Sequence, residues 1–345
     1  MLYKEYIKIS QLALHKVGNK SKDDGVFTTK DTIEIDGLLE TNLLNYFLSS
    51  FNTNEYYNLF HESDLKYNEV YSYVKEIFAQ PNALVTHSIE LAKHLYEKSI
   101  HPKIKEGEFY VVYFKDCIIN GETVDAVGLF KSENKDTFIK VLSNNDKFTI
   151  ESQKGININK LDKGAMIFNI NSENGYMVYI VDNTNKGEEA RYWIDDFLHV
   201  RECKDEYYNT QNLMVLAKKF ITKELSKTFN VSKVDQVELL NKTTKFFKEK
   251  DVFNMKRFVT EVMAQPEIIA SFNQYKNLYA IEQHMEFLDG FNISVPAFKK
   301  QARSFKGVIQ LDKNFRIFIH GDSQLIEQGE DNKGKFYKVY YKEEQ

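Results

Sequence analysis

Phe109-Tyr110-Val111-Val112-Tyr113-Phe114, followed by Asn120-Gly121 and then by Val124-Asp125-Ala126-Val127-Gly128-Leu129-Phe130, is the stretch whose reading decides the fold class. Both runs are rich in β-branched and aromatic side chains, which suit a pleated surface. Asn-Gly supplies the positive-φ positions of a tight hairpin turn. The two runs therefore read as antiparallel strands. Downstream, residues 137–142, 148–151, 165–169 and 176–181 have the same character, and Asn171-Ser172-Glu173-Asn174-Gly175 separates the last two. Connections this short join antiparallel neighbours, since a parallel crossover needs about a dozen residues.

Working outward, Ile7 to Val17 alternates as a first strand before the turn Gly18-Asn19-Lys20. Leu39, Leu43, Leu44, Phe47 and Phe51 trace one helical face. Two more helices follow, one ending near Ala79-Gln80-Pro81 and one carrying Leu84, Ser88, Leu91 and Leu95 before His101-Pro102. Proline disfavours the helical conformation of its predecessor, so both ends have a steric cause. Tyr192-Trp193-Ile194-Asp195-Asp196-Phe197-Leu198 predicts a short helix, and Lys204-Asp205-Glu206 a polar linker. Beyond it, Leu213, Leu216, Phe220, Ile221 and Leu225 mark a helix, and Met255, Phe258, Val259 and Val262 mark another that stops before Pro266. After Pro296 comes a basic helix, then strands at 308–311 and 315–319 around Asp312-Lys313-Asn314, and a last strand at 336–341.

The expectation is an α+β protein in two domains. Residues 1–205 form an antiparallel sheet with helices, and residues 206–345 form a helical domain ending in a small antiparallel sheet. A length of 345 residues favours two cores over one, and a 42% hydrophobic fraction with 26 Phe and 21 Tyr can fill them. The two cysteines, Cys117 and Cys203, belong to no Cys/His cluster, which argues against a disulfide framework or a cysteine-based zinc site. No stretch has the length and apolarity to span a bilayer, and the opening residues lack an apolar signal core, so a cytoplasmic location is expected.

Net charge is −4, which by itself gives no support for DNA binding. Its distribution says more. Residues 1–210 carry 24 Lys and Arg against 33 Asp and Glu, a net −9, whereas 211–345 carry 22 against 17, a net +5. An acidic body with a basic part suited to a partner follows from the asymmetry.

Enzymatic signatures are missing from the pattern. His87, Glu90, His94 and His101 have spacings too long for shared ligation of one metal ion, unlike His residues four apart around a Glu. Asp195-Asp196 reads as a solvated helix face with Trp193 and Phe197 buried, and Asp125 with Lys131 lacks the acidic partners of a two-metal nuclease. Neither a phosphate-binding glycine loop nor a nucleophile elbow occurs. No metal, cofactor or catalytic residue is expected. Two basic clusters remain: Lys242, Lys245, Lys248 and Lys250 around Phe246-Phe247, and Lys299, Lys300, Arg303 and Lys306. The spacing of Lys299, Arg303 and Lys306 places them on one helical face, from which they could contact successive phosphates. The competing interpretation for each cluster is a solvated face with its aromatics in the core.

Ile9-Ser10-Gln11-Leu12-Ala13-Leu14-His15-Lys16, Gly107-Glu108-Phe109-Tyr110-Val111-Val112-Tyr113-Phe114 and Leu161-Asp162-Lys163-Gly164-Ala165-Met166-Ile167-Phe168-Asn169, continuing to Tyr192-Trp193-Ile194-Asp195-Asp196-Phe197-Leu198, occur in succession. Over most of its length the chain resembles the bacterial nucleoid-associated protein family of the NdpA/YejK type. The resemblance implies an α+β, cytoplasmic protein of the nucleoid whose partner is DNA or a DNA-handling protein such as a topoisomerase; the missing motifs make it non-enzymatic, and the basic faces make any DNA contact weak and without sequence preference. It supplies no catalytic residue. A metal-dependent nuclease is the alternative, and the many aromatics are compatible with a homodimer.

Overall fold

The uninterrupted apolar run 109–114 is explained by burial on both faces of its strand: all six side chains are at most 8% exposed. A strand covered on both faces has no solvated side to mark with polar residues. The computed structural model describes residues 2–52, 55–119, 121–144, 147–184, 192–305, 307–311, 313–319, 325–341 and 343, and it divides into units 1–203 and 204–345.

In chain order the first unit contains β1 (Leu2–Tyr3), β2 (Lys8–Val17), β3 (Val26–Phe27), α1 (Gly37–Leu48), β4 (Tyr56–Leu59), α2 (Glu69–Ala79), α3 (Leu84–Lys98), β5 (Gly107–Ile119), β6 (Glu122–Ser132), β7 (Asp136–Asn144), β8 (Lys147–Gly155), β9 (Lys163–Phe168), β10 (Met177–Asp182) and β11 (Val200–Glu202). Nine strands make one sheet in the order β11-β4-β10-β9-β6-β5-β2-β3, with β1 also on β5. Its pairings are antiparallel throughout. Tyr110, Val112 and Phe114 face α1, which contributes Tyr46, Phe47 and Leu48. Phe109, Val111 and Tyr113 face the other way, toward Val70, Val74 and Ile77 of α2, Leu84, Leu91 and Leu95 of α3, and Trp193 with Phe197. Full burial of such a side chain contributes about 1.5–3 kcal/mol, so this strand contributes to the cores on both faces of the sheet.

Local chemistry sets the helix ends. Asp36 accepts a bond from the Leu39 amide at 2.7 Å to start α1, and α2 stops before Gln80-Pro81 as its sequence predicts. Asn68 caps α2 by accepting from the Tyr71 amide, while its own amide donates to the carbonyls of Phe60, Leu198 and His199. Gly121 holds φ 87° at the β5–β6 turn, and the neighbouring Asn120 lies outside the described residues. Strands β4 and β11 had no sequence signal, being only four and three residues long. The expected helix at 192–198 is a π-turn, Ile194–Leu198. Strands β7 and β8 form a separate two-stranded ribbon.

The second unit runs α4 (Glu206–Lys219), α5 (Leu225–Thr228), α6 (Lys233–Glu249), β12 (Val252–Asn254), α7 (Met255–Phe258), α8 (Pro266–Glu282), β13 (Gly290–Asn292), α9 (Val295–Ala302), β14 (Val308–Leu311), β15 (Phe315–Phe318), β16 (Ile326–Asp331) and β17 (Gly334–Val339). The helix expected across 213–225 is interrupted by a π-turn at Phe220–Glu224. Asp205, expected in a linker, caps α4 by accepting from the Tyr208 amide at 2.9 Å. Pro266 ends one element and occupies the first turn of α8, where its missing N–H has no helical partner to lose. The terminal strands are two separate ladders, β14 with β15 and β16 with β17. Phe220, Phe246, Phe247, Phe253, Phe258 and Phe272 build the core of this unit.

Candidate nucleic-acid interface

Helix α6 exists because Ser232 and Asp235 cap it reciprocally and because Val237, Leu240, Phe246 and Phe247 face the interior. Lys242, Lys245 and Lys248 are left on its exposed side. Their charges are largely answered on the same surface. Lys242 Nζ stands 2.7 Å from Glu238, Lys245 4.0 Å from Glu249, and Lys250 3.5 Å from Glu261. Only Lys248 of this group has no ion pair among the described residues. Because Phe246 and Phe247 are 4% and 2% exposed, they cannot stack on a base, and the solvated-face interpretation fits this cluster better.

Helix α9 differs in charge. Ser294 caps its start, Pro296 stands in its first turn, and it packs mainly on α4 and also against α6. Ala297 turns inward, leaving Lys299 and Lys300 in the last turn, followed by Arg303 as the C-cap residue. Cations at a helix C-terminus are favoured by the negative end of its dipole. Among the described residues neither Lys299 nor Arg303 has a carboxylate partner, and both are exposed. The Lys300 ammonium sits 5.9 Å from the Tyr207 ring centroid. The helical repeat that aligns Lys299 with Arg303 ends there, and Lys306 lies outside the described residues. The structure thus separates two clusters that the sequence presents as equivalent: α6 is largely charge-compensated, whereas Lys299 and Arg303 of α9 have no carboxylate partner among the described residues.

The residues weighed for metal chemistry stay apart. Asp125 accepts the Tyr113 hydroxyl at 2.7 Å, and Lys131 lies six residues along β6, roughly 20 Å at about 3.3 Å per residue. Asp195 and Asp196 are exposed while Trp193 and Phe197 are buried. His94 bonds the Phe197 carbonyl through Nε2 at 3.2 Å. Among the described residues no group of His, Cys, Asp and Glu is arranged to hold a metal ion, and no helix is long and apolar enough to cross a membrane.

A buried charge network in the first unit had no signal in the sequence. Lys131 and Lys163 are both 0% exposed. Lys131 Nζ donates to Glu133 at 3.1 Å, to the Tyr192 hydroxyl at 3.1 Å and to the Lys105 carbonyl at 2.9 Å. Lys163 Nζ donates to both Asp182 oxygens, at 2.9 and 3.0 Å, and to Thr184 at 2.6 Å. Tyr192 in turn donates to Glu133 at 2.6 Å. Burial pulls the Lys131 ammonium below the usual lysine range, with Glu133 acting in the opposite direction. Burial and then Glu133 push the Tyr192 phenol well above its ordinary value. Asp162 completes the arrangement by accepting the Glu133 and Asn134 amides and the Asn134 side chain. Every ammonium proton here has an acceptor, so the network is a structural fastening that ties β6, β9 and β10 to the segments at 105, 133 and 192.

With that geometry in place, comparison with known families is specific. The family described as nucleoid-associated protein YejK matches residues 13–335, nearly the whole chain. No curated protein sequence matches it.

Proposed function

Because the chain belongs to the family of nucleoid-associated protein YejK, we propose that it is a non-enzymatic component of the cytoplasmic nucleoid that binds DNA weakly and without sequence preference. The observation that carries this reading is the uncompensated pair at the end of α9: Lys299 and Arg303 are exposed and four residues apart, without a carboxylate partner among the described residues. In the sequence Lys300 and Lys306 accompany this pair, and Lys242, Lys245 and Lys248 of α6 complete the proposed set, the first two in competition with Glu238 and Glu249. Such basic residues neutralise phosphates, a contact that positions a protein on DNA without carrying sequence information. The net −9 of residues 1–210 repels a polyanion and keeps the affinity low.

Titrating duplex DNA at several salt concentrations tests this. Each phosphate contact contributes a log–log slope of about −0.9, so Lys299→Ala/Lys300→Ala/Arg303→Ala should flatten the dependence by roughly three units. An unchanged slope would move the DNA surface elsewhere. If the wild-type chain binds no DNA even at low salt, association through a DNA-handling protein such as a topoisomerase replaces direct contact. The nuclease alternative predicts Mg²⁺- or Mn²⁺-dependent DNA cleavage lost on replacing Asp125, Asp195 or Asp196, and the non-enzymatic reading predicts none.

A homodimer is the second part of the proposal, supported by the β7–β8 ribbon. Val141 pairs with Ile150, Ile139 with Ser152 and Ser143 with Phe148, which puts four large apolar side chains on one face. Ile139, Val141, Phe148 and Ile150 are 73%, 59%, 75% and 72% exposed. A lone two-stranded ribbon is marginally stable in water, so covering this face by the same face of a second copy would stabilise it.

A further inference from the structure

A cavity of about 550 Å³ opens in the first unit beside the start of β5. Its wall carries Lys16, Lys22, Lys105, Lys135 and Lys154 together with Asp24, Glu106, Glu108 and Glu133. The formal balance hides an asymmetry in how these charges are used. Each carboxylate is already engaged: Asp24 accepts the Asn19 amide at 3.0 Å, Glu106 pairs with Lys16 at 2.9 Å, Glu108 with Lys135 at 2.5 Å, and Glu133 with Lys131 and Tyr192. Among the lysines, Lys105 bonds only the neutral amide oxygen of Asn134, at 2.7 Å. Lys22 and Lys154 have no side-chain bond or ion pair among the described residues. Three ammoniums outside any ion pair therefore border one concavity, against one carboxylate, Asp24, that bonds a neutral amide and no cation.

The frame around them is held rigidly. Asn19 is 0% exposed, and its amide donates to the carbonyls of His101 and Ile104 at 2.8 and 2.7 Å, fixing the loop that bears Lys22 and Asp24. Asp162 fixes residues 133 and 134 through three bonds. Gly107 lets β5 approach the end of β6, since a Cβ there would stand 1.9 Å from the Ser132 carbonyl oxygen. Anchored backbone near Lys22 and Lys105, with Lys154 reaching in from β8, gives an anion site in which the lysines act as point charges on flexible stems.

We propose that this cleft binds a small oligophosphate anion. Several unpaired ammoniums call for several negative charges on one ligand, and the volume falls in the range of small-molecule sites. The lining contains no aromatic ring, so the phosphate chain rather than a stacked base supplies recognition. Long-range repulsion from the acidic half of the chain opposes a long polyanion more than a compact one that fits inside the cleft.

Isothermal titration of the full chain with sodium triphosphate, and separately with ATP and adenosine, tests the site. Saturable one-to-one binding of triphosphate is expected, with adenosine inert. ATP as tight as triphosphate would assign the phosphate chain alone, and tighter ATP would assign a nucleotide. Lys22→Ala/Lys105→Ala/Lys154→Ala should weaken triphosphate by at least about tenfold, the equivalent of one charge-assisted hydrogen bond. Lys299→Ala/Lys300→Ala/Arg303→Ala should leave it unchanged, which separates this site from the DNA surface. Triphosphate binding that survives the cleft substitutions overturns the assignment, as does the absence of saturable binding by the wild-type chain. Displacement of triphosphate by short duplex DNA, lost in the cleft variant, would make the cleft a nucleic-acid surface and also overturn it.

Discussion

Lys131 and Lys163 lie directly opposite one another on β6 and β9, both fully buried, with their ammoniums 5.4 and 5.1 Å from the centroid of the same Tyr192 ring. Like charges opposite each other destabilise a sheet, and here Glu133 and Asp182 reverse the sign of that effect. Each pair depends on both partners. Lys131→Met should destabilise the first unit by about 3–5 kcal/mol, because Glu133 would be left buried against Tyr192 without its cation. Lys131→Met/Glu133→Gln should recover much of the loss. Urea unfolding followed by circular dichroism measures both, and a single variant as stable as wild type would show the network to be dispensable.

His15 predicts a pH dependence. Its Nδ1 accepts from the Thr29 amide at 3.3 Å, so Nε2 carries the proton and donates to Ser88 Oγ at 2.9 Å, while Ser88 donates onward to the Val85 carbonyl. Protonating Nδ1 would set two donors against each other. Burial accordingly pulls this imidazole down from 6.5 to about 4. Between those values the unfolded chain binds a proton that the folded chain refuses, so stability falls as pH drops from about 6.5 toward 4. The loss is on the order of 1–3 kcal/mol. In His15→Gln that part of the pH slope should vanish, and an unchanged slope would assign it to other groups.

The proposed division near residue 205 predicts that residues 1–203 and 204–345, produced as separate chains, each unfold cooperatively. Cys203 is bonded to the Tyr56 carbonyl through its amide and Asp205 caps α4, so each side of Lys204 belongs to its own unit. Calorimetry on the two fragments decides the matter. Two broad, non-cooperative transitions would reject the division and favour one interwoven domain.

Homodimerisation through the ribbon predicts a concentration-dependent mass in sedimentation, reduced to that of one chain by Ile139→Lys/Ile150→Lys. These two positions are exposed, so the variant should keep the wild-type circular dichroism spectrum. A wild-type chain that sediments as a monomer at all concentrations would remove the second copy from the proposal.

Local chemistry was sufficient for much of the architecture. The runs at 109–114 and 124–130 became β5 and β6, Pro81 and Pro266 stand at the expected helix boundaries, and Trp193 and Phe197 are buried beside exposed Asp195 and Asp196. These outcomes depend on neighbours within one element, where side-chain period and proline sterics act directly. The short strands β4 and β11 escaped because pairing over a few residues depends on partners far along the chain, and the π-turns because one extra residue per turn barely alters the apolar period. The α6 and α9 lysines looked alike in sequence, and only the carboxylates around them distinguished one surface from the other. Lys131, Lys163 and Tyr192 show the same limit most clearly. Single-residue preference places lysine in water, yet sheet register brings these three separated positions to one buried point where fixed acceptors replace the lost hydration. The sequence alone determined the longer strands and helices whose period is local; tertiary structure decided the short strands and which charges are compensated, because both depend on distance in space and not on distance along the chain.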